Sequence, residues 1–192
     1  MKRADKSEYP KYYGGPASNW SGIGLSDATG WYDPGMNDIK DRVYSDICAD
    51  YCKNRNLKIN LVGWSRGAVI AQETARRLEQ EGCCCNGKTI KPIQVNFLGM
   101  YDAVGMNMAS SYDDGRPGNI DHYHHAVKSE DSTIFPTLKS GNPNERPYTN
   151  KDGSGSSHND IGGGIGSKTN PAHSAMVNWA KNSGVKINNK NL

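Results

Sequence analysis

The stretch that constrains this chain most runs from Ile59 to Leu78. An apolar run (Ile59, Leu61, Val62) meets Gly63-Trp64-Ser65-Arg66-Gly67, and a small-residue helical pattern follows at once. A strand that becomes a helix this abruptly needs a tight elbow, with its central residue, Ser65, driven into strained backbone space. Glycines on either side then become a steric demand: a side chain at Gly63 or Gly67 is expected to strike the neighbouring strand or helix. The elbow lifts the serine hydroxyl to the C-terminal edge of a sheet. It also aims the first helical turn, with its unpaired N–H groups, at whatever that hydroxyl attacks. In a chain with 22 glycines, G-x-S-x-G alone is weak, so the flanks carry the argument. Ala68, Ala71, Ala75 and Leu78 form one narrow apolar face, mostly alanine, suited to a helix packed closely on a sheet. The competing reading is a plain helix N-terminus with Ser65 as an ordinary small residue.

The remaining patterns fit the same architecture. Ile39, Val43, Ile47 and Tyr51 recur every four residues and predict a helix over 37–54, with Asn37 or Asp38 as its cap. The helix after the elbow should close near Gly82. Residues 91–101, KPIQVNFLGMY, read as a second, buried parallel strand. Asn170 as cap and Pro171 at the first position open a last helix. Its apolar face is Ala172, Ala175, Met176, Trp179 and Ala180. A short strand is expected at 11–13. Helices alternating with buried strands argue for an α/β fold with a mostly parallel sheet flanked by helices. Residues 103–157 are polar and rich in Gly, Pro, Asn and Ser, and read as a long loop-rich excursion or lid.

The 192 residues are expected to form a single domain. With 35% hydrophobic residues and a mean hydropathy of -0.77, its core is adequate but modest. A net charge of +3 falls short of a nucleic-acid footprint. No apolar run reaches bilayer-spanning length, which leaves peripheral contact as the route to a membrane. The segment MKRADKSEYP is charged and lacks the apolar stretch of a signal peptide. Of the five cysteines, Cys83, Cys84 and Cys85 are adjacent, poor partners for one another, and the set lacks paired C-x-x-C spacing. The expectation is reduced thiols, with Cys48 and Cys52 on one helix face, in a cytoplasmic protein or one exported without a signal peptide.

A serine hydroxyl needs a base to take its proton and a carboxylate to orient that base. In strand–elbow–helix hydrolases the acid and then the histidine follow the serine, each after a later strand. Asp102 ends the strand KPIQVNFLGMYD and fits the acid; a helix cap or turn aspartate is the bland alternative. Asp113, Asp114 and Asp121 have no strand leading to them. Among the histidines, His158 lies between polar residues and a run of glycines and is preferred as base over His125. His173 falls inside the last helix, a poor place for a base. His122, His124 and His125 bind a metal only if carboxylates join them, which leaves a metal-dependent hydrolase as a third-ranked reading.

Taken together, G-W-S-R-G-A, Y-D-A-V-G and H-N-D-I-G-G-G resemble the α/β-hydrolase family of type VI secretion phospholipase effectors. That family characteristically reads G-F-S-R-G-A, D-T-V-G and H-x-D-V-G-G-G. His125-Ala126 before Glu130-Asp131 also resembles a family position. The Y-Y-G-G-P segment followed by G-I-G-L resembles the family's tyrosine–glycine loop, so the likeness spans roughly residues 11–180. It implies an α/β-hydrolase-like domain with Ser65 as nucleophile, Asp102 as acid and His158 as base. The backbone N–H of Arg66 would be an oxyanion donor, with Gly63, Gly67 and Asp160 as supporting positions. The substrate implied is a carboxylic ester, with phospholipid acyl esters among the candidates, and no metal or organic cofactor is implied. One family element has no counterpart: a first strand ending in an F-x-D-G-T-like loop, which supplies the second oxyanion donor. Gly14 or Gly15 is the nearest substitute. The absence keeps a reading of another class open, a binding or toxin module that retains the fold without turnover.

Overall fold

Parallel pairing governs the architecture. In the computed structural model, residues 11–13, 34–104, 115–130, 137–138, 144–162 and 170–187 are described. The elements in chain order are α1 (Pro34–Lys53), β1 (Ile59–Trp64), α2 (Arg66–Gln80), β2 (Cys83–Cys85), β3 (Lys88–Ile90), β4 (Val95–Tyr101), β5 (Ile120–Lys128), β6 (Glu145–Tyr148), α3 (His158–Gly162) and α4 (Ala172–Asn182). One sheet has the order β1-β4-β5-β6, and all three of its strand pairs are parallel. β2 and β3 form a separate antiparallel hairpin. The α/β class with a parallel sheet flanked by helices is therefore present.

The sheet separates two cores. On one face Leu98 and Met100 of β4 meet the helix face Ala68, Ala71, Ala75 and Leu78, with α1 packed outside. On the other face Phe97, Tyr101 and Ala126 meet Ile161 of α3 and Ala172, Met176 and Ala180 of α4. β4 is buried on both sides, which explains its continuous run of apolar residues. Gly82 terminates the α2 segment at φ 70°, with its N–H returning 3.3 Å to the Arg77 carbonyl. At the head of α4, the Asn170 side chain accepts the Ala172 N–H at 2.9 Å, so the cap falls on the residue expected.

Two expectations about loops and strands require correction. Residues 103–157 include two of the four sheet strands, β5 and β6, and β5 is an inner strand. Its sequence, IDHYHHAVK, hides a buried strand because histidines and a lysine occupy positions where aliphatics are looked for. Residues 11–13 form no strand. Lys11 lies 2.9 Å from Asp50, and Tyr13 donates to Asp46, both on α1.

The cysteine expectation is overturned as well. Cys48 pairs with Cys83 and Cys52 with Cys85, with Cα separations of 5.2 and 5.4 Å. The geometry follows from two periodicities. Residues four apart share a helix face, and residues two apart share a strand face. Cys48 and Cys52 on α1 therefore confront Cys83 and Cys85 on β2 as a two-rung ladder. Cys84 points the opposite way and is exposed as the free thiol. Adjacent cysteines cannot readily pair with each other, but alternate ones can pair with a common partner face. The expected outcome is one titratable thiol in the native oxidised protein and five after unfolding and reduction, counted with a thiol reagent. Reduction should lower stability by about 2–5 kcal/mol per bridge, read as the shift of the denaturant midpoint.

Candidate active site

Ser65 occupies the elbow between β1 and α2 at φ 56°, ψ -127°. A non-glycine residue held there costs about 1–3 kcal/mol, and such strain collects at functional positions. Among the described residues three non-glycines have positive φ: Ser65, Asp102 (φ 38°) and Asn86. Asn86 is accounted for by the Asn86-Gly87 turn of the β2–β3 hairpin. The two that remain are the two residues that leave the C-terminal ends of β1 and β4. The strands are adjacent and in register, Trp64 opposite Tyr101, and the Ser65 N–H donates to the Tyr101 carbonyl at 2.9 Å.

Gly63 meets the steric expectation. A Cβ added there would lie 2.2 Å from the Gly67 carbonyl oxygen. Gly67 does not meet it: a Cβ there would find nothing within 4 Å. The elbow presses the Gly67 backbone against Gly63, so one of the two glycines supplies the clearance for both.

Asp102 is fully buried, and both of its oxygens are engaged. Oδ2 lies 2.6 Å from His158 Nδ1 and 3.3 Å from Lys128 Nζ. Oδ1 accepts the Thr137 hydroxyl at 2.7 Å and the Lys128 backbone N–H at 3.2 Å. Burial pushes the carboxyl pKa up, but the bonds from His158 and Thr137 and the charge of Lys128 outweigh it. The net result holds Asp102 below its ordinary value. An ionised carboxylate only accepts, so His158 Nδ1 carries the hydrogen and the Nε2 lone pair is left to act as a base.

His158 opens α3 and is buried. A reciprocal cap sets its place. Asp160 Oδ2 accepts the Ser157 N–H at 2.8 Å and the Ser157 hydroxyl at 2.9 Å, while the Asp160 N–H lies 3.4 Å from that hydroxyl oxygen. Those donors hold the Asp160 carboxyl below its ordinary value. The indole of Trp64 stacks on the His158 ring with centroids 5.1 Å apart, and its Nε1–H donates to the His158 carbonyl at 3.3 Å. Gly162 is required beneath that indole, since a Cβ there would meet the ring at 2.2 Å. Trp64 thus ties the histidine's helix to the residue before the serine.

The other histidines are distributed by the pleat of β5. His122 and His124 point to one face and His125 to the other, so the three do not converge on a metal. His124 stacks on Trp179 with centroids 4.4 Å apart, and burial lowers its pKa to about 4. His125 is fully buried, and its Nε2 accepts the Ala103 N–H at 3.0 Å. It braces the turn after Asp102 and is not part of the Asp102–His158 pair. His173 lies on α4, stacked on Tyr101. Asp121 is exposed and bonded to Gln94. Among the described residues no group of three or more histidines, cysteines and carboxylates could hold a metal ion.

Sequence reasoning missed Trp64, Lys128 and Thr137. Lys128 had a signal: a lysine directly after the buried run His125-Ala126-Val127. Thr137 and Trp64 had none, because their roles come from packing. Gly14, Gly15, Asp113 and Asp114 lie outside the described residues. Comparison with protein-family models, curated proteins and solved structures found no match to this chain.

Two tests follow from the geometry. Gly63→Ala should prevent the elbow from forming and abolish any serine reactivity, whereas Gly67→Ala should shift stability by no more than about 1 kcal/mol; thermal melts with probe labelling check both. The second concerns acid. A carboxyl depressed in the fold contributes stability that is complete above its unfolded value near 3.8 and is lost as pH falls through the folded value. Asp102→Asn leaves Lys128 buried without its counter-charge and should cost about 3–5 kcal/mol at pH 7. The gap between wild-type and mutant melting temperatures should narrow below about pH 4.

Proposed function

We propose that this protein is a serine hydrolase that cleaves a carboxylic ester through an acyl-enzyme. The observation that carries the reading is the buried Asp102–His158 contact of 2.6 Å beside a serine held in a strained elbow. In this mechanism the Ser65 hydroxyl attacks the ester carbonyl and His158 Nε2 takes its proton. Asp102 keeps the hydrogen on Nδ1 and stabilises the imidazolium as it forms. The tetrahedral oxyanion faces the head of α2, where the Arg66 N–H is the proposed donor. Collapse expels the alcohol, protonated by His158. Water activated by the same imidazole then releases the acid.

The order of the three sequence motifs supports an α/β-hydrolase-like domain akin to the type VI secretion phospholipase effectors. An apolar ester is favoured by Val62 and Trp64, alternate residues on one face of β1, which are 45% and 37% exposed beside the elbow. No helix among the described residues is long and apolar enough to cross a membrane, so contact with a lipid surface would be peripheral. The disulfide ladder supports export to an oxidising destination over residence in the cytoplasm.

A fluorophosphonate probe reports the activated serine directly. Wild-type protein should label at Ser65, and Ser65→Ala and His158→Ala should not. Each substitution should lower kcat for a short p-nitrophenyl ester by up to about 10⁶, and the double mutant should be no worse. His125→Ala should be milder, acting through the Ala103 turn. A folded wild-type protein that neither labels nor turns over returns the case to a binding module that keeps the fold without catalysis.

A further inference from the structure

Lysine is almost never buried unless paired, and Lys128 is among the most buried charged side chains of the described residues, 3% exposed. It grips Asp102 twice, with its backbone N–H on Oδ1 and its ammonium on Oδ2. The same ammonium donates to Thr137 Oγ1 at 2.5 Å, which turns the Thr137 hydroxyl hydrogen toward Oδ1. Orienting an imidazole takes a carboxylate and one hydrogen bond. A cation on the oxygen that already serves His158 is not needed for that, and it changes the electrostatics. The imidazole faces a nearly neutral Asp102–Lys128 pair where an isolated carboxylate would present a full negative charge, so a proton arriving on the ring gains less.

We infer that Lys128 is a positioning residue that sets the working pH range of the site, its buried ammonium offsetting Asp102 so that His158 stays available as a base in more acidic solution. The inference rests on the reading of Ser65, Asp102 and His158 as a triad. Among the described residues, the other ionisable groups at this end of the fold have the following places. Asp160 on α3 is taken up by Ser157. Glu130, beyond β5, lies against Gly155. Glu145 of β6 faces His125 at 3.6 Å. His173 of α4 stacks on Tyr101, and Arg66 heads α2. Among the described lysines and arginines, Lys128 is the one in contact with Asp102.

The test compares wild type with Lys128→Met, which keeps the length of the side chain and removes the charge. Two readouts are taken across pH 4–9: kcat/KM for p-nitrophenyl acetate, and the ring-proton NMR signal of His158, assigned by its loss in His158→Ala. Both the acidic limb of the rate profile and the His158 titration should move upward by about one unit or more. Lys128→Gln carries the same expectation should Lys128→Met not fold, and Lys128→Arg, which keeps the charge, should leave both near the wild-type position. A His158 titration unmoved in a folded neutral variant, or moved equally by Lys128→Arg, overturns the inference and leaves Lys128 as a structural counter-ion. The NMR readout needs no turnover. If wild-type protein neither hydrolyses the ester nor takes up fluorophosphonate, the hydrolase reading fails, while the titration still decides what Lys128 does to His158.

Discussion

The parallel pairing of β1 with β4 is the constraint on which the site depends. Parallel strands end at the same edge, and the register of Trp64 opposite Tyr101 makes the next residues, Ser65 and Asp102, neighbours across that edge. Both leave their strands with positive φ, turning the chain abruptly where an ordinary residue would continue. β5 lies on the other side of β4, and its Ala126 carbonyl accepts the Asp102 N–H at 2.7 Å. The acid is thereby fixed by backbone pairing before any side chain contributes. His158 arrives from outside the sheet and is held by its bond to Asp102, its stack on Trp64 and the Ser157–Asp160 cap.

What the sequence made legible was whatever has a short-range cause. The elbow, the alanine face of α2, the strand ending in Asp102 and the Asn170 cap each follow from a spacing or a single residue's conformational preference. The Asp102–His158 pairing was also legible, through the order of motifs. The strand β5 was not, because His122, His124 and His125 disguise an inner strand as polar chain. Its histidines are tolerated there for separate reasons: His124 is sandwiched against Trp179, and His125 satisfies the Ala103 N–H. Gly67 was misjudged because a motif shows which residues recur and says nothing of which atoms touch. The cysteines were misjudged because each was weighed against its neighbours in sequence, when the relevant match was between a helical and a strand periodicity.

Buried polar groups give this small fold much of its definition. Asp102 engages both oxygens with four donors, and Asn119, also buried, bonds the Ala75 and Ile93 carbonyls at 2.9 and 2.7 Å. Such networks are unforgiving, since removing one member leaves its partners buried and unpaired. They also specify one arrangement in a way that the modest apolar core would not do alone.

The position of the disulfide ladder has a consequence for how the molecule could be held. α2 starts directly after Ser65 and runs for 15 residues, about 22 Å, before the chain reaches Gly82 and the β2–β3 hairpin. The covalent staples therefore lie at the foot of the fold, and the serine lies at the rim. The free thiol of Cys84 sits at that same foot, exposed and on a stapled hairpin. A support or dye joined through this single sulfur would grasp the protein by its most firmly fastened corner. The opposite end, where a substrate would enter, would face outward in every tethered molecule.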